Sequence, residues 1–247
     1  MRVGNICGAA LVAAGLWVSP SPAAAGPVVV ELFTSQGCSA CPPADALLGE
    51  LSERPDVIAL GLHVDYWDYL GWRDRFAAAA NGRRQRGYIE RMRHRTVFTP
   101  QIIVDGVTSV IGSRRQAVLE EIALAAAMGD GLAVRAARDG DAIRVDLEPL
   151  VETSLGPAQV LYFIYEWPQT VHITHGENET RRITYHNVVR DWMTLGHWNG
   201  EATVMQAPRP EDARGVAVIV QREDGVVLGA GKLEFDDAPV SAVPATD

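Results

Sequence analysis

The stretch Phe33-Thr-Ser-Gln-Gly-Cys38-Ser-Ala-Cys41-Pro-Pro-Ala-Asp45 carries the chain's one Cys-x-x-Cys pair. Immediately upstream, the apolar segment Val28-Val-Val-Glu-Leu-Phe33 reads as a buried strand. Downstream, Pro42 to Arg54 reads as a helix with Leu47, Leu48 and Leu51 on one face. Prolines are tolerated in a helix only near its start, where N–H groups lack partners in any case. Pro42 and Pro43 therefore place both cysteines at the helix N-terminus. Strand, cysteine pair, then helix is the setting of a redox motif rather than of half a zinc site. A cysteine there faces unpaired N–H groups and the positive end of the helix dipole, and both favour thiolate over thiol. Cys38 is expected to be the exposed nucleophile and Cys41 the resolving thiol. The alternative is a static structural disulfide, but so short a loop stabilises little.

Working outward, Val57 to Val64 forms a second apolar strand, followed by the aromatic loop Asp65-Tyr-Trp-Asp-Tyr-Leu-Gly-Trp72. An Arg-rich region with helical character, Arg73 to Arg95, is interrupted around Asn81-Gly82. Thr99-Pro100 opens a third strand, Gln101 to Asp105, and the Asp105-Gly106 turn leads to a fourth, Val107 to Ile111. A last helix, Ser113 to Met128, has Ser113 as its expected N-cap. From Gly131 the texture changes to short strands with hairpin turns at Asp139-Gly140 and Asp224-Gly225, the pattern of a β-sandwich. The expected architecture is an α/β thioredoxin-like domain over residues 26–129, then an all-β sandwich-like C-terminal domain over 130–236. Residues 237–247 are expected to be a disordered tail.

The order β-α-β-α-β-β-α, with Cys38-Ser-Ala-Cys41 after the first strand and Thr99-Pro100 before the third, resembles the thioredoxin-like proteins. That resemblance implies a cis bond at Pro100, which turns the Thr99 backbone toward an incoming chain. The chain also resembles a bacterial family of secreted thioredoxin-like proteins catalogued as a domain of unknown function. The similarity is carried by Glu31-Leu-Phe-Thr-Ser-Gln-Gly-Cys38, His63-Val-Asp-Tyr-Trp-Asp68 and Thr99-Pro-Gln-Ile-Ile-Val-Asp-Gly106. It continues in Gly176-Glu-Asn178 and Tyr185-His-Asn-Val-Val-Arg190. It implies two domains and export, and supplies no reaction.

Residues 1–25 combine one arginine, an apolar core and Ala23-Ala-Ala25, the pattern of a cleavable signal peptide. Their apolar run is shorter than the roughly 20 residues that span a membrane. Export to the periplasm or beyond is expected. Cleavage would remove Cys7 and leave Cys38 and Cys41 as the only cysteines, so stability must come from ordinary cores. A formal charge of −9 over 247 residues argues against nucleic acid or anionic lipid as a partner. Oligomeric state is not legible.

The expected function is thiol–disulfide exchange with a client protein or small thiol, with Cys38, Cys41, Thr99 and Pro100 as site residues and no cofactor. Two alternatives stand beside it: Cys38 and Cys41, with or without His63, capturing a thiophilic ion such as Cu(I), or a scaffold whose sandwich does the work. His63 and Asp65 close the second strand, where one could accept a proton from Cys41; His63 could equally be a packed core imidazole. Tyr66, Trp67, Tyr69 and Trp72 suit an interface with the second half, and the arginines from Arg73 to Arg95 a solvated helix face. Gly176-Glu-Asn178 and His186-Asn187 with Arg190 are a candidate binding site or simply turn chemistry. No Gly-rich phosphate loop, Gly-x-Ser-x-Gly elbow or His-Glu-x-x-His helix is present.

Overall fold

Val28–Thr34 (β1) and Val57–His63 (β2) are buried at every position, as continuous apolar runs must be when both faces of a sheet are covered. In the computed structural model, which describes residues 26–151 and 154–236, the two strands pair in parallel from Val28 opposite Val57 to Thr34 opposite His63. The helix Pro42–Ser52 (α1) connects them. Gln101–Val104 (β3) runs antiparallel to β1, and Thr108–Ile111 (β4) antiparallel to β3, giving the order β2-β1-β3-β4. The helix Ala79–Arg91 (α2) passes through Asn81-Gly82 without the expected interruption. The Asn81 side chain donates to the His63 carbonyl instead of competing for its own backbone. The helix Arg115–Met128 (α3) begins after Arg114 with no side-chain cap, so Ser113 is not the N-cap.

The pleat of β1 sends Val28, Val30 and Leu32 to one face and Val29, Glu31 and Phe33 to the other. On the first face they meet Leu47, Leu48 and Leu51 of α1 and Val118 and Ile122 of α3. On the second, Val29 and Phe33 join Ile58, Leu60 and Ile103 against Leu161, Phe163, Ala217 and Ile219. Those last residues belong to a second sheet, built from Ala158–Tyr165 (β7), Val189–Trp198 (β10), Gly215–Arg222 (β12) and Val227–Glu234 (β13) in the order β10-β7-β12-β13. Its far face packs on a third sheet of Leu132–Asp139 (β5), Ala142–Pro149 (β6) and Thr203–Pro208 (β11), order β11-β6-β5. Gln169–His172 (β8) and Arg182–Tyr185 (β9) pair only with each other.

The fold expectation is corrected by this layering. The described residues are mostly β, 42% strand against 20% helix with three α-helices, in four sheets, rather than an α/β thioredoxin-like domain followed by a β-sandwich. The physical reason is the second face of the first sheet: another sheet closes on it, so residues from both halves of the chain fill one core. The expected signal peptide and tail lie outside the described residues. Among the described residues no helix is long and apolar enough to cross a membrane.

The third layer lies so close to the second that side chains are excluded at two positions. A Cβ on Gly229 would sit 2.0 Å from the Leu132 carbonyl oxygen, and one on Gly231 2.4 Å from that of Val134. Both obstacles are backbone, which cannot swing aside. Gly229→Ala is expected to destabilise the fold by about 1–3 kcal/mol, as overpacking does. The check is a urea melt, with a lower midpoint at unchanged slope.

Candidate functional site

The segment after β1 folds back on itself before α1 begins. Cys38 N donates to Ser35 O, Gly37 N to Ser35 Oγ at 3.1 Å, and Cys41 N to Cys38 O. Cys41 is the N-cap of α1, and its carbonyl accepts from Ala44 N and Asp45 N. Pro42 and Pro43 then occupy the first helical positions, where no donor is missed. Cys38 and Cys41 are joined as a disulfide. In one respect the expectation is corrected: Cys38 is 2% exposed and Cys41 0%, while Ser39 and Ala40 between them are exposed. Cys38 is not an exposed thiol in this conformation.

Thr99 and Pro100 stand beside the pair. Their peptide bond is cis. A Cβ on Gly112 would lie 3.0 Å from the Ala44 Cβ and 3.3 Å from the Pro100 Cβ, which places the proline against the first turn of α1. Trp67 links the two loops. Its Nε1 donates to Thr99 Oγ1 at 2.7 Å, and its Cβ closes on Gly37. Tyr66 and Trp67 also pack against the core shared by the first two sheets, whereas Tyr69 is 78% exposed.

Beneath the cysteines lies a buried polar network that sequence reasoning did not assemble. Asp45, one turn into α1, accepts from Thr34 Oγ1 at 2.7 Å, and its second oxygen has no partner. Burial pushes its carboxyl up to about 7, opposed by the His63 imidazole and the Thr34 bond. His63 Nδ1 meets Asp74 Oδ2 at 2.6 Å, and that oxygen also accepts from Gln36 N at 2.8 Å. His63 is thus a packed imidazole, held edge-on between Phe76 and Tyr185. Its acidic partner is Asp74; Asp65, the nearer residue in sequence, is exposed. Among the described residues no three His, Cys, Asp or Glu side chains are grouped to hold a metal ion. The signal that could have found Asp45 is its place on the inward stripe of α1 with Leu48 and Ser52.

The C-terminal half reaches the site through the β8–β9 connection. Asn178 Nδ2 donates to Gln36 O and to Cys38 O, both at 2.9 Å. Glu177 Oε2 accepts from Ser39 N at 3.3 Å. Trp72 Nε1 donates to Gln36 Oε1, and its ring stacks on His175. The motif around Asn187 lies elsewhere: Asn187 Nδ2 donates to Ala59 O and its Oδ1 accepts from Arg214. Of the arginines, Arg84 is buried in an ion pair with Glu31, while Arg73, Arg75, Arg83, Arg86, Arg91, Arg93 and Arg95 are exposed, as a solvated face requires.

The model of the family described as "Protein of unknown function (DUF1223)" matches residues 29–221. The crystal structure of protein AGR_C_4864 from Agrobacterium tumefaciens is similar, with 31% identity, TM-score 0.75, and coverage of 87% of this chain and 97% of that one. HBP35 of Porphyromonas gingivalis shares the fold at 15% identity and TM-score 0.57, over 90% of this chain and 79% of that one. No curated protein matches the chain.

Proposed function

We propose that this chain, which belongs to the DUF1223 family of proteins of unknown function, is an exported thiol–disulfide oxidoreductase acting on a client protein or a small thiol. The observation that carries the reading is the Cys38–Cys41 disulfide at the start of α1, one turn above the buried Asp45 carboxyl. Neutral-range carboxyls are costly to bury and concentrate where protons are moved. Export rests on the signal-like residues 1–25.

In the oxidising direction, a client thiolate attacks Cys38 Sγ. A client–Cys38 disulfide forms, the Cys38–Cys41 bond breaks, and Cys41 leaves as a thiolate. Asp45, part-protonated at neutral pH because burial holds its carboxyl at about 7, then supplies the proton that Cys41 takes. The client's second thiolate attacks its own sulfur in the mixed disulfide and releases Cys38. Two electrons and two protons pass from the client dithiol to the protein. Run in reverse, with Cys38 as attacking thiolate, the same steps reduce a client disulfide.

Cys41→Ser removes the resolving thiol and is expected to leave Cys38 trapped as a mixed disulfide when the protein is held in glutathione disulfide. Intact-mass measurement reads the adduct. Cys38→Ser should accumulate far less. An unmodified Cys41→Ser protein, with Cu(I) held only when both thiols are present, would overturn the redox reading in favour of metal capture.

A further inference from the structure

A disulfide that exchanges with clients must be reached by an attacking sulfur, and here both sulfurs belong to buried residues. We infer, resting on the redox reading above, that the loop joining β8 to β9 is a gate over the disulfide, latched by Asn178. The loop runs from 173 to 181 and is tied to the cysteine segment by three hydrogen bonds, two from Asn178 Nδ2 and one to Glu177 Oε2. Every one of them joins a loop side chain to cysteine-segment backbone.

The loop's own backbone bonds are internal. Ile173 N donates to Arg181 O, Thr180 N to Ile173 O, Glu179 N to Gly176 O and Arg181 N to Asn178 O. Lifting the loop therefore breaks no strand pairing. The hairpin that carries it is a sheet of its own, two four-residue strands that pair with no other described strand. A small cluster of Val171, Ile173, Tyr185 and Val188 pins it, with Trp72 and Phe76 alongside. Tyr185 also meets the His63 ring, and Gln169 accepts from Arg75, but these contacts hold the strands and leave the loop between them free to lift. Two-stranded hairpins of this kind are marginal by themselves, and gating segments are drawn from such low-stability units.

The closed latch also carries a built-in cost. Asn178 Oδ1 and Gln36 Nε2 are both buried without a partner, and water reaches such groups once the loop lifts. Turning the Asn178 amide over would not cure this, because its oxygen would then face two carbonyls. Gly176 at φ 80° and Thr180 at φ 71° bracket the latch in left-handed backbone, forming the tight corners on which the loop turns. The C-terminal half thus regulates access to a site whose chemistry lies wholly in the N-terminal half.

The test is the rate at which dithiothreitol reduces the disulfide, followed by thiol alkylation, with sub-denaturing urea as a second variable. Two electrons and two protons pass to Cys38 and Cys41 as dithiothreitol closes to its cyclic disulfide. For the wild type, reduction should be slower than in the urea-unfolded chain and nearly independent of urea below the transition, the mark of local opening. Asn178→Ala removes two neutral hydrogen bonds and should speed reduction about tenfold or more. Asn178→Asp has equal size but sets a carboxylate against the two carbonyls, and it should open the loop at least as far. A melting curve for each variant shows that the fold persists.

A wild-type rate that climbs with urea as steeply as global unfolding, with variant rates tracking only global stability, would overturn the gate and mark the disulfide as structural. A wild-type rate equal to that of the unfolded chain, unchanged in both variants, would overturn the gate while leaving the redox reading intact.

Discussion

Glu31→Ala is expected to destabilise the fold by about 3–5 kcal/mol, the usual cost of breaking a buried ion pair from one side. Glu31 projects from β1 toward the second sheet. Its carboxylate is fully buried against the Arg84 guanidinium, and the Tyr88 hydroxyl donates to it as well. Arg84 also lies over the rings of Tyr88, Phe163 and Trp192 at 5.0–5.4 Å, and donates to Gln221 Oε1. Removing the carboxylate leaves that guanidinium without a counter-charge between two sheets. Burial pushes the Tyr88 phenol up, so it stays neutral and cannot replace the lost anion. The double variant Glu31→Leu/Arg84→Met removes both charges and should lose much less. Urea melts of the two single variants and the double give the coupling directly. A loss below about 1 kcal/mol for Glu31→Ala would contradict a polar seam that holds the sheets in register.

Asp45→Asn should instead stabilise the protein, by an amount that grows as pH rises from about 4 to about 7. The folded-state carboxyl sits at about 7, against an ordinary value of 3.8. Below about pH 4 both states carry the proton and nothing is gained. Between these values the folded state binds more protons than the unfolded one, so stability falls as pH rises, and above 7 the full cost is present. At 1.36 kcal/mol per unit, that cost is about 4 kcal/mol at most. Asparagine keeps the shape and removes the ionisation, so the variant should match the wild type at pH 4 and exceed it by up to that amount at pH 8. His63, Asp74, Tyr185 and Thr34 face the group, and their effect on its ionisation is part of the difference read, whereas the raised carboxyls of Asp105 and Asp130 titrate in both proteins and cancel. Urea melts from pH 4 to pH 8 read it. Slower thiol exchange in the more stable variant would mark Asp45 as retained for chemistry at the expense of stability. Equal stability across the range would show that no carboxyl is held neutral there.

These predictions depend on features that were unequally legible in the sequence. β1, α1 and β2 could be read because two continuous apolar runs flank a helix that a proline pair can only begin. The fold class could not be read the same way. Val29, Phe33 and Ile58 demand an apolar cover, but their pattern is the same whether helices or another sheet provides it. β10 escaped notice because it is a half-buried edge strand, with register shifts between Val189 and Asp191 and between Thr194 and Gly196. Asn187 takes φ 46° and turns the chain from β9 to β10, a break that no glycine or proline in the sequence marks.

At the site, Cys38, Cys41, Thr99 and Pro100 were legible as residue types in a known order. The burial of the cysteines was not, because Asn178, which bonds the Cys38 carbonyl, lies 140 positions away in the chain. Asp74 stands between two exposed arginines with no periodic pattern to flag it. Only the fold brings its carboxylate to His63 and the Gln36 amide.

The most direct test of a redox role for Cys38 and Cys41 is an equilibrium titration of the protein in glutathione buffers, read by thiol alkylation. A reversible two-electron transition between about −120 and −270 mV, the span of known catalytic dithiols, is the predicted result. A potential below about −300 mV would mark the disulfide as structural and contradict the account.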